Sequence, residues 1–160
     1  EDAYVGRGVS YSATTDLAAI AGVQAVVVGG GDGAFENAAI LAAVCPGVTI
    51  AMRAGAPRAR PALVRRCRDA ANVTILPGLR AVALEGDGRR VTGLRVAGAT
   101  GERVLRAGWV VVKIGFAPAI AFLAGQLELE REGHIRVDRG MRTSAAGIFA
   151  VDARPSAAGR

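Results

Sequence analysis

The residues best suited to chemistry are the glycine-rich segment Gly29-Gly30-Gly31-Asp32-Gly33, which lies between an apolar segment and a helix-like pattern. Gly29 permits a tight strand-to-helix turn, and Gly31 lets the backbone approach a bound group closely. The helix start presents unpaired N–H groups and the positive end of its dipole, which attract phosphate. Ala34 completes the spacing G-x-G-x-x-A and lets the helix pack closely on the strand. The sequence therefore predicts a diphosphate-binding turn, with a turn that binds nothing as the alternative.

Apolar periodicity predicts the elements that position this turn. Buried strands are expected at 24–28, 48–52, 73–76 and 109–114, helices at 32–44, 62–71 and 119–127, alternating strands at 79–84, 90–96 and 102–105, and short strands at 134–138 and 147–151. The predicted fold class is α/β, a Rossmann-like parallel sheet with βαβαβ units plus a three-stranded antiparallel β-meander that covers one face.

The composition is that of one layered domain. The chain has 160 residues, of which 51% are hydrophobic and only 4% aromatic, so its core consists of Ala, Val, Leu and Ile. No apolar run approaches the ~20 residues that span a membrane, and the first residues lack the regions of a signal peptide. We therefore expect a cytoplasmic protein with no membrane partner.

The net charge of +6 raises the question of nucleic-acid binding. The basic residues are arginines except Lys113, they are scattered, and no aromatic residues alternate with them to stack bases. The densest cluster, residues 65–68, is interpreted as a solvated helix face. We therefore expect no nucleic-acid partner.

Cysteine and histidine residues indicate neither a redox pair nor a metal site. Cys45 and Cys67 form no C-x-x-C motif, so two buried thiols are predicted, with a disulfide or redox pair as the alternative. His134 is the single histidine and has no cluster of other ligands around it in the sequence, whereas metal ligands come in sets.

The end of the second predicted strand bears on the choice of nucleotide. Sites for NAD place an acidic residue ~20 residues after the glycines, where it binds the ribose 2′-hydroxyl. This chain has Arg53 there and no acid, and Arg58 and Arg60 follow in a loop that could close over a 2′-phosphate. NADP(H) is therefore favoured over NAD(H); the alternative is that these are ordinary surface arginines.

Several segments together resemble thioredoxin reductase and its low-molecular-weight flavoprotein relatives, the class II pyridine nucleotide-disulfide oxidoreductases. Residues 6–11 resemble the entry into the family's NADPH domain, and residues 28–32 its V-G-G-G-[DN] turn, with Glu36 matching a glutamate of the first helix. Residues 113–118 are similar to the x-I-G-x-x-P loop near the nicotinamide, and residues 141–150 to the segment T-S-x-P-G-[IV]-[FY]-A.

The resemblance implies part of a flavoprotein. In this family the NADPH domain is inserted into an FAD domain, which makes residues 1–10 a connector, 11–146 the NAD(P)H-binding domain and 147–160 a return strand. Asp152 matches an FAD contact, although its segment is one residue shorter than the family's A-x-G-D. The implied partners are the FAD-binding domain of the same protein and a second copy in a homodimer of the full-length protein.

Two motifs depart from the family pattern. The redox motif C-A-T-C-D aligns with residues 12–16, where Ser12 and Thr15 replace the cysteines, so this segment cannot form a disulfide. Asp16 then has no thiol proton to handle, and we expect it to cap the helix that follows. The 2′-phosphate motif H-R-R-x-x-x-R keeps Arg53 and a shifted Arg58, which predicts weaker NADPH binding.

The resemblance implies an NADP(H)-binding domain that positions nicotinamide for hydride transfer to flavin, with no catalytic residue and no dithiol chemistry of its own. NADPH is the expected cofactor, NADH is less favoured, and FAD belongs to the complete protein. A degenerate nucleotide-binding or regulatory module is the alternative. The candidate cofactor-binding residues are Gly29, Gly30, Gly31, Asp32, Gly33, Ala34, Glu36, Arg53, Arg58, Ile114, Gly115, Phe116 and Asp152.

Overall fold

The computed structural model describes residues 2–115, 119–123, 125–130 and 133–151. The chain divides into two compact units, and the boundary in the sequence falls after Ile114. In chain order the first unit contains β1 (Val9–Ser10), α1 (Leu17–Ile20), β2 (Ala25–Val28), α2 (Asp32–Leu41), β3 (Val48–Ala51), α3 (Pro61–Asp69), β4 (Val73–Leu76), β5 (Arg80–Gly86), β6 (Val91–Gly98), β7 (Gly101–Arg106) and β8 (Trp109–Val112).

The first unit is built on a parallel sheet in the order β1-β8-β2-β3-β4. Residue Val26 of β2 is paired with Val110 of β8 on one side and with Thr49 of β3 on the other. The chain moves from β2 outward to β3 and β4, and later returns to β8 on the opposite side of β2. The boundary between β2 and β8 is therefore the topological switch point, outside whose carboxyl end open α/β sheets bind ligands.

Both faces of the sheet are covered, which explains the unbroken valine run of β2. Val27 lies in a core with helix residues such as Phe35 and Leu41. Val26 and Val28 point to the other face and pack in a second core with residues of β6, including Leu94 and Val96. A strand buried on both sides has no polar alternation, because neither face meets water.

The second sheet is an antiparallel meander in the order β5-β6-β7. Leu94 of β6 pairs with Leu84 of β5 and with Leu105 of β7. The predicted fold class is confirmed, and the predicted strands and helices of the first unit lie within a few residues of the observed ones. Helix α2, predicted to end at residue 44, ends at Leu41. Beyond it the chain forms a turn with an i to i+3 hydrogen bond, in which the N–H of Val44 donates to the carbonyl of Leu41 at 3.0 Å.

Three predictions for the second unit are wrong. The helix expected at 119–127 is, in its described residues, only a 3-10 turn at Ala121–Leu123. The strands expected at 134–138 and 147–151 are replaced by isolated bridges, Leu129 with Ile135 and Arg142 with Phe149. The apolar residues that suggested the last strand are largely exposed, Phe149 by 60%, so burial does not hold it extended against a core.

No helix of the described chain has the length and apolar character needed to cross a membrane.

Candidate functional site

The glycine turn lies at the carboxyl edge of the parallel sheet, at the switch point. The N–H of Gly29 donates to the carbonyl of Ala51 at the end of β3, at 2.9 Å. The N–H of Lys113, directly after β8, donates to the carbonyl of Val28 at 2.8 Å. These two bonds continue the strand pairing by one residue on each side, so the turn begins from a fixed position between β3 and β8.

Gly29 occupies a position that a side chain cannot enter. Its φ of 141° is in the region that favours glycine, and a Cβ there would overlap the carbonyl oxygen of Lys113. The same Cβ position lies 3.3 Å from the Cβ of Ala34, so the small residue of α2 is also in close contact. Close packing of helix, turn and β8 therefore accounts for both small residues.

Beyond Gly29 the turn is open. No heavy atom outside its neighbours lies within 4 Å of a Cβ built on Gly31, while Gly30 has Met52 at 3.3 Å. Among the described residues, the N–H groups of Gly30 and Gly31 donate to no acceptor, and Gly31 caps α2 without a side-chain hydrogen bond. The turn thus presents backbone donors and the positive end of a ten-residue helix to the same space.

The arginine loop, residues 53–60, is joined to the glycine turn by its backbone. The N–H of Arg58 donates to the carbonyl of Gly30 at 2.8 Å, and the N–H of Arg60 donates to Asp32 Oδ1 at 2.7 Å. Residues 53–56, Arg58 and Arg60 are exposed. The loop that follows β3 is therefore brought next to the open donors of the turn that follows β2.

The guanidinium of Arg60, expected in a loop that could close over a 2′-phosphate, is paired with two carboxylates instead. Its Nε lies 2.7 Å from Asp32 Oδ2, and its Nη2 lies 2.9 Å from Glu36 Oε1. Two carboxylates on the first turns of α2 attract this guanidinium, so it bridges helix and loop. Asp32 and Glu36, which the sequence analysis grouped with the nucleotide contacts, have their carboxylates on Arg60.

Lys113 extends from β8 across the glycine turn. Its Cε lies 3.1 Å from the Cβ position of Gly33, and its Nζ donates to the carbonyl of Tyr11 at 3.1 Å. Ile114 follows and is 74% exposed. Gly115 begins the second unit with a φ of 112°. Phe116, like Asp152, lies outside the described residues.

The segment after β1, where the resemblance predicts the position of a redox motif, makes hydrogen bonds within itself. Ser10 is buried, and its Oγ lies within hydrogen-bonding distance of Asp16 Oδ2 and accepts the N–H of Ser12 at 3.0 Å. Asp16 is at the N-cap of α1, but its carboxylate makes no capping bond there. The expected cap is therefore wrong, because the carboxylate turns toward the buried hydroxyl of Ser10.

Asn37, which the sequence analysis did not single out, connects this segment to the glycine turn. Its Oδ1 accepts the N–H of buried Ala13 at 2.7 Å, and its Nδ2 donates to the carbonyl of Gly33 at 2.7 Å. An amide among the alanines and isoleucine of α2 was the available signal. The spacing from Gly33, one helical turn, could have suggested the second of these bonds.

The two cysteines are free and buried, as predicted. Burial raises the pKa of the Cys45 thiol; it also raises the pKa of the Cys67 thiol, against a smaller opposing effect of the positive charge of Arg66. The Sγ of Cys67 donates to the carbonyl of Phe35 at 3.3 Å. Both thiols are thus held protonated inside the first unit, which disfavours nucleophilic chemistry.

The remaining features of the first unit carry less chemistry. A groove of about 420 Å³ opens beside the arginine loop and is lined by Met52, Gly55, Ala56, Pro57, Arg68, Val73, Ile75 and Pro77. The arginines of residues 65–68 are exposed on α3 while Val64 and Cys67 are buried, which is the solvated helix face expected. Within the described ranges, no group of three His, Cys, Asp or Glu residues is suited to a metal ion.

Known proteins are similar to this chain along most of its length. The family model described as pyridine nucleotide-disulphide oxidoreductase matches residues 2–152. A thioredoxin reductase of Mycolicibacterium smegmatis is 38% identical over 154 residues, covering 94% of this chain and 49% of that protein. A thioredoxin reductase of Streptomyces clavuligerus is 35% identical over 154 residues, covering 94% of this chain and 48% of that protein.

Solved structures agree with the sequence relatives. The thioredoxin reductase of Lactococcus lactis in its FR conformation matches with a TM-score of 0.90 and 29% identity, over 94% of this chain and 50% of that one. The thioredoxin reductase of T. acidophilum matches with a TM-score of 0.87 and 28% identity, over 93% and 50%. This chain belongs to the pyridine nucleotide-disulphide oxidoreductase family and is thioredoxin-reductase-like; it spans about half the length of the thioredoxin reductases it matches.

Proposed function

We propose that the chain is the NADP(H)-binding part of a thioredoxin-reductase-like flavoprotein, in which it positions nicotinamide for hydride transfer to FAD. The observation that carries the proposal is the open glycine turn at the switch point. Gly30 and Gly31 offer backbone donors there, and no heavy atom beyond the chain neighbours of Gly31 lies within 4 Å of its Cβ position. A diphosphate matches this combination of close backbone approach, N–H donors and helix dipole.

The arginine loop supports NADP(H) rather than NAD(H). The bond from the Arg58 N–H to the Gly30 carbonyl holds the loop beside the diphosphate turn. Arg53 and Arg58 are exposed at that edge, where guanidinium groups can bind a 2′-phosphate with two parallel hydrogen bonds. An acid that would bind a free ribose 2′-hydroxyl is missing at the end of β3, where buried Ala51 and Met52 stand.

When bound, NADPH supplies a hydride to the flavin, and the protein supplies position. In the proposed site the glycine turn holds the diphosphate, Arg53 and Arg58 hold the 2′-phosphate, and Ile114 begins the segment proposed for the nicotinamide side. We assign the flavin to an FAD-binding domain of the same protein, outside the residues of this chain. Ser12 and Thr15 replace thiols with hydroxyls, so we assign no dithiol step to the segment after β1.

The test is a calorimetric titration of the chain with NADPH and with NADH. We expect saturable binding of NADPH and weaker binding of NADH. Arg53→Met should weaken NADPH by at least about tenfold and leave NADH unchanged. Equal affinities of the unmodified chain for the two nucleotides would contradict the role given to the arginine loop.

The matched control is Arg89→Met, which removes one exposed positive charge in the β5–β6 turn. That turn is followed by Val91, whose N–H donates to the carbonyl of Arg7 just before β1, so it lies toward the amino edge of the sheet. We expect this variant to bind both nucleotides as the unmodified chain does. A loss equal to that of Arg53→Met would indicate a general effect of net charge.

A degenerate, non-catalytic nucleotide-binding or regulatory module is the second candidate. It is favoured by Met52, a buried apolar residue where the family pattern has an arginine, and by Arg60, which is paired with Asp32 and Glu36. The same titration separates the two functions. Saturable binding of neither nucleotide by a folded chain would favour the degenerate module.

A further inference from the structure

Lys113, the single lysine of the chain, lies at the switch point. Its N–H donates to the carbonyl of Val28, and its own carbonyl oxygen packs against Gly29. The residue is therefore fixed on the β8 side of the crevice whose β2 side is the glycine turn. A cation follows an apolar strand here, although packing between the two strands requires no charge.

The side chain of Lys113 extends toward the start of α2. Its Cε is 3.1 Å and its Nζ is 4.0 Å from the Cβ position of Gly33, the second residue of the helix. The Nζ also donates to the carbonyl of Tyr11, at 3.1 Å. The hydrogen bond to Tyr11, in the loop after β1, holds the ammonium beside the first turn of α2. A Cβ at residue 33 would crowd the Lys113 side chain at this place.

Positive charge accumulates at this place. The start of α2 carries the positive end of the helix dipole, where a cation is unfavourable and an anion is favourable. The acid of the turn, Asp32, has one carboxylate oxygen on the N–H of Arg60 and the other on its guanidinium. The ammonium and the N–H groups of Gly30 and Gly31 thus lie at the same end of α2, and this combination of positive groups suits a doubly charged anion.

We propose that Lys113 binds the diphosphate of the dinucleotide, a role that rests on the proposed function and adds a residue to its site. The diphosphate is common to NADPH and NADH, whereas the 2′-phosphate belongs to NADPH alone. Lys113 therefore sets the affinity for both nucleotides, and the arginine loop selects between them. The two groups of cations are separable by experiment because they contact different phosphates.

The first experiment repeats the titrations with Lys113→Met, which keeps the length of the stem and removes the charge. We expect NADPH and NADH to weaken by the same factor, about tenfold, with their affinity ratio unchanged. Binding of 2′-AMP, which has the 2′-phosphate and no diphosphate, should be unchanged. Arg53→Met should give the opposite pattern, and Arg89→Met should change none of the three.

The second experiment uses the unmodified chain and does not depend on a variant that folds. Acetylation by an N-hydroxysuccinimide ester, followed by mass spectrometry, reports on Lys113 as the chain's one lysine side chain, with the terminal amine as an internal reference. NADH and ADP-ribose should slow acetylation of Lys113 at least about fivefold. Neither should affect the terminal amine, and 2′-AMP should protect neither group.

The outcomes separate the inference from the function it rests on. If the unmodified chain binds both nucleotides, while Lys113→Met binds them unchanged or Lys113 is acetylated equally fast with and without NADH, the inference is overturned and the proposed function stands. A change confined to NADPH would place Lys113 on the 2′-phosphate and also overturn it. If the unmodified chain binds neither nucleotide, the proposed function fails and the inference fails with it.

Discussion

The turn after β2 and the turn after β1 leave the same edge of one parallel sheet, and each leads into a helix. The turn after β2 contains Gly30 and Gly31, whose N–H groups donate to none of the described residues, and it has open space above Gly31. The turn after β1 has side chains that bond one another, with Ser10 on Asp16 and Ser12 on Thr14. One turn leaves its hydrogen-bonding capacity available to a ligand, and the other uses it internally.

The two turns therefore differ in the groups they present, backbone N–H donors in one and side-chain hydrogen bonds in the other. The segment after β1 carries hydroxyl groups at Ser12 and Thr15, and its side chains make hydrogen bonds with one another. The attraction that the glycine turn itself has for a phosphate comes from backbone N–H groups and a helix dipole, to which a cationic side chain can add. Asn37 links the two turns, so the segment after β1 still supports the position of α2.

The largest effect is expected from Gly29→Ala, which tests whether the open turn depends on its first glycine. The new Cβ would overlap the carbonyl oxygen of Lys113 at a φ of 141°. We expect a loss of about 3 kcal/mol or more in the free energy of unfolding, measured by urea denaturation. Gly88→Ala, at a φ of 84° with no atom within 4 Å of the new Cβ, should cost only about 1 kcal/mol. Equal losses for the two variants would mean that the positive φ, and not the overlap with Lys113, accounts for the cost.

Asn37→Ala tests whether the two turns are coupled. It leaves the N–H of buried Ala13 without its acceptor and the carbonyl of Gly33 without its side-chain donor. We expect a loss of about 2 kcal/mol in the free energy of unfolding. Glu36→Ala, on the exposed side of the same helix, removes only a surface ion pair and should cost less than about 1 kcal/mol. If Asn37→Ala cost no more free energy of unfolding than Glu36→Ala, the two turns would not be coupled through Asn37.

Ser10→Ala tests whether the segment after β1 is structural. The change removes the hydroxyl that faces the Asp16 carboxylate and accepts the Ser12 N–H. We expect a loss of about 1.5 kcal/mol in the free energy of unfolding. Thr14→Ala removes an exposed hydroxyl contact in the same segment and should have almost no effect. If both variants unfold like the unmodified chain, the internal bonds contribute nothing to stability.

The smallest effect is expected from Arg60→Met, which tests what holds the arginine loop against the glycine turn. Its ion pairs with Asp32 and Glu36 are exposed, with the arginine side chain 67% accessible. We expect a loss below about 1 kcal/mol in the free energy of unfolding, and a still smaller one at high salt. A loss of several kcal/mol would mean that these ion pairs, and not the backbone bond from Arg58 to Gly30, position the loop.

The parts of the fold that could be predicted are those indicated by patterns of neighbouring residues. The valines of β2 indicate a strand buried on both faces, and alternation indicates the meander, because burial follows the period of the element. The glycine turn could be predicted for the same reason, because a positive φ such as that of Gly29 is a local requirement that selects glycine in the sequence. The short apolar runs after residue 115 were misleading, because such runs fit a helix, a strand or a loop equally well.

The contacts made across the fold could not be predicted from one sequence. The pairing of Arg60 with Asp32 joins residues 28 positions apart, and that of Lys113 with Tyr11 joins residues 102 apart. In the sequence, several arginines were possible partners of each carboxylate, and no local pattern indicated which of them would form the ion pair. The carboxylate of Asp16 was misassigned for a related reason, because the buried hydroxyl of Ser10 competes with the helix cap.

The backbone bond between Arg58 and Gly30 has a consequence for the length of the loop before it. Four residues separate Arg53 from Arg58, one more than the pattern R-x-x-x-R contains. Met52 is buried and the amide of Arg58 is anchored, so the extra residue is accommodated between them, where positions 53–56 face water. The carbonyl of Ala54 also accepts the N–H of Gly78 at 3.2 Å, so we expect a further inserted residue to be accommodated at the exposed positions 55–56 while both ends of the loop keep their places.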